Sequence, residues 1–243
     1  MMQSPIPRLG DAPESPFPDP LANPREDGLL AWGGDLHPTR LLAAYRQGIF
    51  PWYEAPGPVL WWSPEPRAVM LPGGMHLSRR FKRTLRQGRY RVGADQAFDA
   101  VVAACAEPRD AQDGTWITPE MRAAYGRLHA MGHAHSIEIR DIDSDALIGG
   151  LYGVSIGRIF FAESKFHRQR DASKIALAVL MRALGEWNFI LCDCQLWNPH
   201  LERLGVSMLS GDLFQAALAR GVAEAAAVDD WARAIGRIDF SRW

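Results

Sequence analysis

The sequence predicts a mixed α/β fold of the α+β type, with a small N-terminal domain over residues 1–65 and a larger domain over residues 66–243. Three observations carry that prediction. Strand candidates follow one another at Ser136–Arg140, Ala146–Val154 and Arg158–Ala162, the first two joined by the turn-forming Asp141–Asp145. A helix over Ala172–Trp187 places Leu177, Leu180, Met181 and Leu184 at i, i+3, i+4 and i+7, and a short apolar strand, Phe189–Gln195, comes directly after it. Pro56 to Pro66 is loop-forming and makes a domain joint.

The other elements follow in chain order. Residues 1–27 hold seven prolines, Pro24 among them, and are predicted extended and loop-like. Gly28-Leu29-Leu30-Ala31-Trp32-Gly33-Gly34-Asp35-Leu36 leads into a helix over Thr39–Gln47, with Thr39 as cap and Leu41, Leu42, Ala44 and Tyr45 on the buried side. Beyond the joint, Ala68–Leu71 reads as a strand, the basic stretch from Ser78 to Arg91 as a helix or turn, and Ala97–Cys105 as a helix. Thr118 caps a helix from Pro119 to Met131, with proline at the first helical position. A short helix near His200–Leu204 stops at Gly205.

A chain of 243 residues, 47% hydrophobic and 23% charged, is ordinary for a globular protein and buries a full core without staples. Its three cysteines, Cys105, Cys192 and Cys194, form no disulfide framework and point to a reducing compartment. No apolar run is long enough to cross a bilayer and no apolar leader opens the chain, so a cytoplasmic protein without membrane contact is expected; a monomer is expected as well. Net charge is −1, yet Ser78–Arg91 reads SRRFKRTLRQGRYR with no acid, while Glu224, Asp229 and Asp230 balance it near the C-terminus. Such a block is either one local polyanion contact or a solvated helix face.

Two tryptophan stretches carry the first chemical signal. Gly48-Ile49-Phe50-Pro51-Trp52-Tyr53 and Leu60-Trp61-Trp62-Ser63-Pro64-Glu65-Pro66-Arg67 set indoles beside prolines and off any helical or strand period. An indole so placed is either a platform for a planar ligand such as a nucleobase or part of a stiffened joint; the platform is favoured for Trp52, between Phe50 and Tyr53. At the end of the last apolar strand, alternation puts Asp193 and Gln195 on one face and Cys194 on the other. There the carboxylate accepting from the Gln195 side-chain amide would leave the amide oxygen polarised for a substrate N–H, or the pair would only fasten a loop. Glu163, ending the apolar strand Ile159-Phe160-Phe161-Ala162, is a second acid, suited to a cationic ligand or simply solvated. His133-x-His135 and Cys192-x-Cys194 match no structural zinc spacing, and no metal is expected.

Meander strands, a helix and a further strand resemble the acyltransferase fold of the GNAT superfamily. The connection into the long helix, Lys165-Phe166-His167-Arg168-Gln169-Arg170-Asp171, lacks the glycines of a pyrophosphate cradle, so coenzyme A is not expected, nor any other cofactor. Eight segments then resemble, in order, the leucyl/phenylalanyl-tRNA–protein transferase family: Gly28–Leu36, Ala44–Trp52, Leu60–Arg67, Gly114-Thr-Trp-Ile-Thr118, Ala134-His-Ser-Ile-Glu138, Gly149-Gly-x-Tyr-Gly153, Ala172-Ser-Lys174 and Asp193-Cys-Gln195.

That resemblance implies an enzyme that moves leucine or phenylalanine (methionine as a further donor) from its tRNA to the α-amine of proteins beginning with Arg or Lys, marking them for degradation. It implies that Trp52 and Trp116 hold the 3′-terminal adenosine, with Tyr45 and Tyr125 lining the same site. Asp193 and Gln195 match the proposed catalytic pair, and Glu163 an acid of the substrate pocket. Leu151, Cys192 and Lys165 match the apolar pocket for the amino-acid side chain. Lys165 departs from the family's Gly-Glu-Ser-Met-Phe, because here the segment reads Ala162-Glu163-Ser164-Lys165-Phe166. Arg79, Lys82, Arg83 and Arg86 fit phosphate contacts to the acceptor stem.

Overall fold

The computed structural model describes residues 5–22, 25–108, 115–226 and 228–243; Pro24 and Gly114, named above, lie outside them. Strands β1 (Leu29–Trp32), β2 (Phe50–Pro51) and β3 (Leu60–Trp62), with helix α1 (Pro38–Tyr45), make a small antiparallel sheet in the order β1-β3-β2. There follow β4 (Arg67–Met70), α2 (Arg79–Gln87), β5 (Tyr90–Ala94), α3 (Phe98–Cys105), α4 (Pro119–Ala130), β6 (Ala134–Asp141), β7 (Leu147–Ile156) and β8 (Ile159–His167). The chain continues through α5 (Ala172–Glu186), β9 (Leu191–Gln195), α6 (Pro199–Arg203), β10 (Ser207–Leu209), α7 (Gly211–Val222) and α8 (Trp231–Ile235). The large sheet is mixed, ordered β10-β4-β9-β8-β7-β6-β5, and its one parallel neighbour pair among the described strands is β8 with β9. A parallel pair needs a crossover, and α5 is that crossover.

Local chemistry accounts for most boundaries. Ser78 accepts from the Phe81 N–H to start α2, and Gly88, at φ 59°, ends it. Thr118 caps α4 by accepting from the Met121 N–H. At α1 the predicted cap is wrong. Pro38 fixes the first helical position and the His37 ring accepts from the Thr39 N–H, so Thr39 already lies inside the helix. Leu60–Trp62 lies in the stretch read as a loop-forming joint, yet it is the central strand of the small sheet. Strand β8 continues through Glu163 to His167, which leaves residues 168–171 as the connection to α5. Helix α5 can lie close on the sheet because residue 149 is glycine: a Cβ there would stand 2.6 Å from that of Ala172.

Alternate strand residues divide between two apolar layers, one on each face of the large sheet. Val69, Tyr152 and Phe161 join the layer with Tyr125 and Phe214; Met70, Leu151 and Phe160 join the one with Leu180 and Trp231. The first layer runs unbroken into the small sheet through Leu41, Tyr45, Ile49 and Trp61. Trp61 is fully buried, meets Phe17 edge-on and donates Nε1–H to the Gly33 carbonyl at 2.9 Å, so it is core. Among the described residues no helix is long and apolar enough to cross a membrane, and no three His, Cys, Asp or Glu side chains gather as metal ligands.

Candidate functional site

The site opens where two strands part. Pairing between β8 and β9 ends at Phe161 opposite Asp193. Beyond that point β8 stays with β7, Lys165 opposite Leu151, while β9 stays with β4, Gln195 opposite Ala68. The wedge between them is a cavity of about 500 Å³. Phe50, Pro51, Trp52 and Trp116 form one wall; Leu151, Leu177, Cys194 and Leu201 form an apolar recess; Glu163, Lys165 and Gln195 border both.

Trp52 is 39% exposed and Trp116 half-buried, so two indoles reach one opening. Trp62 stands behind Trp52, ring centroids 5.6 Å apart, and donates Nε1–H to the Trp52 carbonyl at 2.6 Å. The two sequence-neighbour tryptophans therefore differ in kind: Trp61 is core and Trp62 is a prop.

Glu163 is not at a strand end. Ala162 faces Gly153 and Ser164 faces Tyr152, so Glu163 is the extra residue of a β-bulge in β8. A bulge re-aims the residue it inserts. Here the carboxyl meets two phenols: Tyr45 Oη lies 2.8 Å from Oε1 and Tyr125 Oη 2.7 Å from Oε2, with the phenol oxygens 2.6 Å from each other. Tyr45 from α1 and Tyr125 from α4 are fully buried, so they act behind Glu163 and do not line the opening, contrary to expectation. Burial pushes the Glu163 carboxyl up to about 7, against the phenol hydrogen bonds, which favour its ionised form. Burial, and next the charge of Glu163, push both phenols well above their ordinary value.

The expected Asp193–Gln195 pairing is also different. Asp193 is fully buried and does not border the cavity. It receives Arg67 in a two-pronged ion pair, Nε to Oδ1 at 2.8 Å and Nη2 to Oδ2 at 2.7 Å, and its Oδ1 accepts from the Gln195 backbone N–H at 2.9 Å. Gln195 takes φ 57°, which breaks the strand alternation and swings its side chain into the opening. Its side-chain Nε2 donates to Glu163 Oε1 at 3.3 Å, so Glu163, not Asp193, holds the amide. Cys192 is likewise sealed, between Met70 and Phe160 in register, and Cys194 takes the place in the recess expected of it. Lys165 does stand at the recess, opposite Leu151, and its charge helps to lower the His200 imidazole, after burial.

Arg67 is the residue that sequence reading left without a role. Its guanidinium lies between the rings of Phe50 at 5.0 Å and Phe214 at 4.7 Å, and Nη2 also donates to the Gly48 carbonyl at 2.8 Å. One buried fork thus keys the Gly48–Trp52 wall to the Asp193–Gln195 turn. An arginine opening an apolar strand was the available signal, because a buried guanidinium requires a buried acid.

The basic stretch forms α2, and Arg79, Lys82, Arg83 and Arg86 fall at i, i+3, i+4 and i+7 along one groove. Arg86 also donates to the Trp243 carbonyl from Nε and Nη2. On the opposite face, Phe81 sits under Lys174 of α5 at 4.2 Å, and α5 supplies Leu177 to the cavity one turn further on. Helix α2 therefore stands between the groove and α5, whose Leu177 lines the cavity.

Comparison with known proteins bears on this site. Residues 69–219 match the family described as Leucyl/phenylalanyl-tRNA protein transferase, and residues 34–65 match its N-terminal domain. A relative from Alkalilimnicola ehrlichii named leucyl/phenylalanyl-tRNA–protein transferase is 51% identical over 207 residues, 85% of this chain and 80% of its own. One of the same name from Aromatoleum aromaticum is 50% identical over 226 residues, 93% and 94%. Among solved structures, L-PGS from Bacillus licheniformis matches 64% of both chains at 9% identity with a TM-score of 0.37, too loose a likeness to define the fold.

Proposed function

The chain belongs to the leucyl/phenylalanyl-tRNA protein transferase family and is an aminoacyltransferase, and we propose that it moves leucine or phenylalanine, with methionine as a further donor residue, onto proteins beginning with Arg or Lys and so marks them for degradation. In this reading the chain comprises a small N-terminal domain, residues 1–65, on a GNAT-like domain, residues 66–243, and works as a monomer in the cytoplasm without cofactor. The observation that carries the reading is the single cavity bordered by Trp52, Trp116, Glu163 and Gln195.

The terminal adenosine stacks on the Trp52–Trp116 wall, an interaction that contributes roughly 1–3 kcal/mol per base. The aminoacyl side chain enters the recess of Leu151, Leu177 and Leu201, with Lys165 at its rim and Cys192 sealed behind it. Acceptor-stem phosphates lie on the α2 groove. The chemistry asks little of the protein. An aminoacyl ester is already activated, and an α-amine of pKa about 7.7–8 is partly neutral near physiological pH. Alignment does the rest, and ideal positioning is worth up to roughly 7–11 kcal/mol. Gln195, its Nε2 occupied by Glu163, presents its amide oxygen to the attacking N–H and holds the amine against the ester carbonyl. Asp193, clamped by Arg67, sets the Gln195 backbone from behind.

Incubation with radiolabelled Leu-tRNA and an Arg-initiated peptide, and separately with acetyl-CoA, tests the reading. Label should pass from the tRNA to the peptide with no acetyl transfer. tRNA binding without transfer, or acetylation of the peptide, would overturn it.

A further inference from the structure

Behind the cavity three oxygens close a triangle: Glu163 Oε1 to Tyr45 Oη at 2.8 Å, Tyr45 Oη to Tyr125 Oη at 2.6 Å, and Tyr125 Oη to Glu163 Oε2 at 2.7 Å. Three contacts of this length need three hydrogens, and two phenols supply one each. We infer that the third hydrogen is carried by the Glu163 carboxyl, which is a neutral acid in the resting protein and orients Gln195 as a hydrogen-bonding group, not as a charge.

With that proton in place every direction closes. Glu163 Oε2–H donates to Tyr125, Tyr125 O–H donates to Tyr45, and Tyr45 O–H donates to Glu163 Oε1, which is then a carbonyl oxygen. Oε1 keeps a lone pair for the Gln195 Nε2–H, so the Gln195 oxygen stays turned to the opening. An ionised Glu163 would draw both phenol hydrogens and leave two oxygens facing each other at 2.6 Å with none between them. The surroundings favour the neutral form. Phe161 packs on Tyr45 at 5.0 Å and Tyr152 on Tyr125 at 5.3 Å. Of the charged groups near Glu163, Arg67 of β4 and Asp193 of β9 pair with each other and Lys165 borders the same cavity, while Tyr45, Tyr125 and Tyr152 are its phenol neighbours. The high-lying carboxyl described above agrees with this count. Glu163 is thereby a positioning residue that acts through Gln195, a role that rests on the proposed transfer; its protonation state does not.

Glu163→Gln mimics a protonated acid, with an N–H in place of the O–H, whereas Glu163→Ala removes the ring. Infrared difference spectra of wild type against E163Q at pH 6 should show a protonated-carboxyl band that fades by pH 8.5. E163Q should transfer leucine within about threefold of wild type at pH 6.5, and E163A about tenfold or more below it. No such band at pH 6, or E163Q as slow as E163A, overturns the inference. If wild type itself transfers nothing, the proposed function fails, and the band alone still decides where the third hydrogen lies.

Discussion

Arg67 and Asp193 meet 126 residues apart in sequence as a two-pronged ion pair that neither side chain shares with water. A carboxylate placed so deep serves the site by holding a turn, and its removal strands a buried cation. Asp193→Ala should therefore cost about 3–5 kcal/mol of stability, while Gln195→Ala, at the cavity, should leave melting within about 0.5 kcal/mol of wild type and slow transfer by about 10–100-fold. Denaturant melts and single-turnover transfer on both variants check this; a stable D193A protein would refute the account of the pair.

Trp52 and Trp61 predict opposite phenotypes. Trp52→Ala should weaken Leu-tRNA binding by roughly 1–3 kcal/mol with little change in melting, because the ring is 39% exposed. Trp61→Ala, from a fully buried position, should cost about 3–5 kcal/mol of stability. Equal losses of stability in the two would return Trp52 to the core.

Glu163 couples folding to pH. Its carboxyl is raised in the folded chain, from an ordinary 4.5 to about 7, so the folded state binds more protons than the unfolded one between those values. The stabilisation is complete below about 4.5 and is lost as pH climbs through about 7. Thermal midpoints of wild type should fall relative to those of E163Q between pH 5 and pH 7.5; parallel curves would show that Glu163 titrates normally.

Lys165 stands where the recess is otherwise lined by Leu151, Leu177, Cys194 and Leu201. Lys165→Met should keep transfer and shift the ratio of leucyl to phenylalanyl product, by roughly tenfold or less. Complete loss of both products would mean that the ammonium takes part in the reaction.

Lys82 and Arg83 project from one face of α2 into its groove. Alanine at either should weaken binding of every tRNA alike and lower the slope of log K against log salt by about 1. An unchanged slope would remove α2 from the tRNA contact.

Elements specified by their own residues were legible in the sequence. The Leu177–Leu184 period marks α5, Thr118 and Pro119 mark the start of α4, and the meander of β6, β7 and β8 follows its apolar runs. What escaped is set by distant partners. Helix α7 was missed because its first free N–H, that of Gly211, is answered by Glu65 and not by the adjacent Ser210. Strand β10 is only three residues at a sheet edge, too short to show a period, and leans on β4 for its pairing. At the site, Trp52 could be singled out from chemistry, as an indole beside a proline and off any regular period, whereas Trp116 comes only through the family resemblance. The bulge at Glu163 depends on registration with β7, and the clamp on Asp193 on a strand far earlier in the chain; no local pattern of period two reports either.

The apolar layer that passes from Phe161 and Phe214 through Tyr45 to Trp61 makes the N-terminal segment up to residue 65 and the remainder mutual solvents. Severed after residue 65, each piece would present naked rings to water. Proteolytic nicking there should liberate no autonomous folding unit, and calorimetry of the intact chain should record one endotherm.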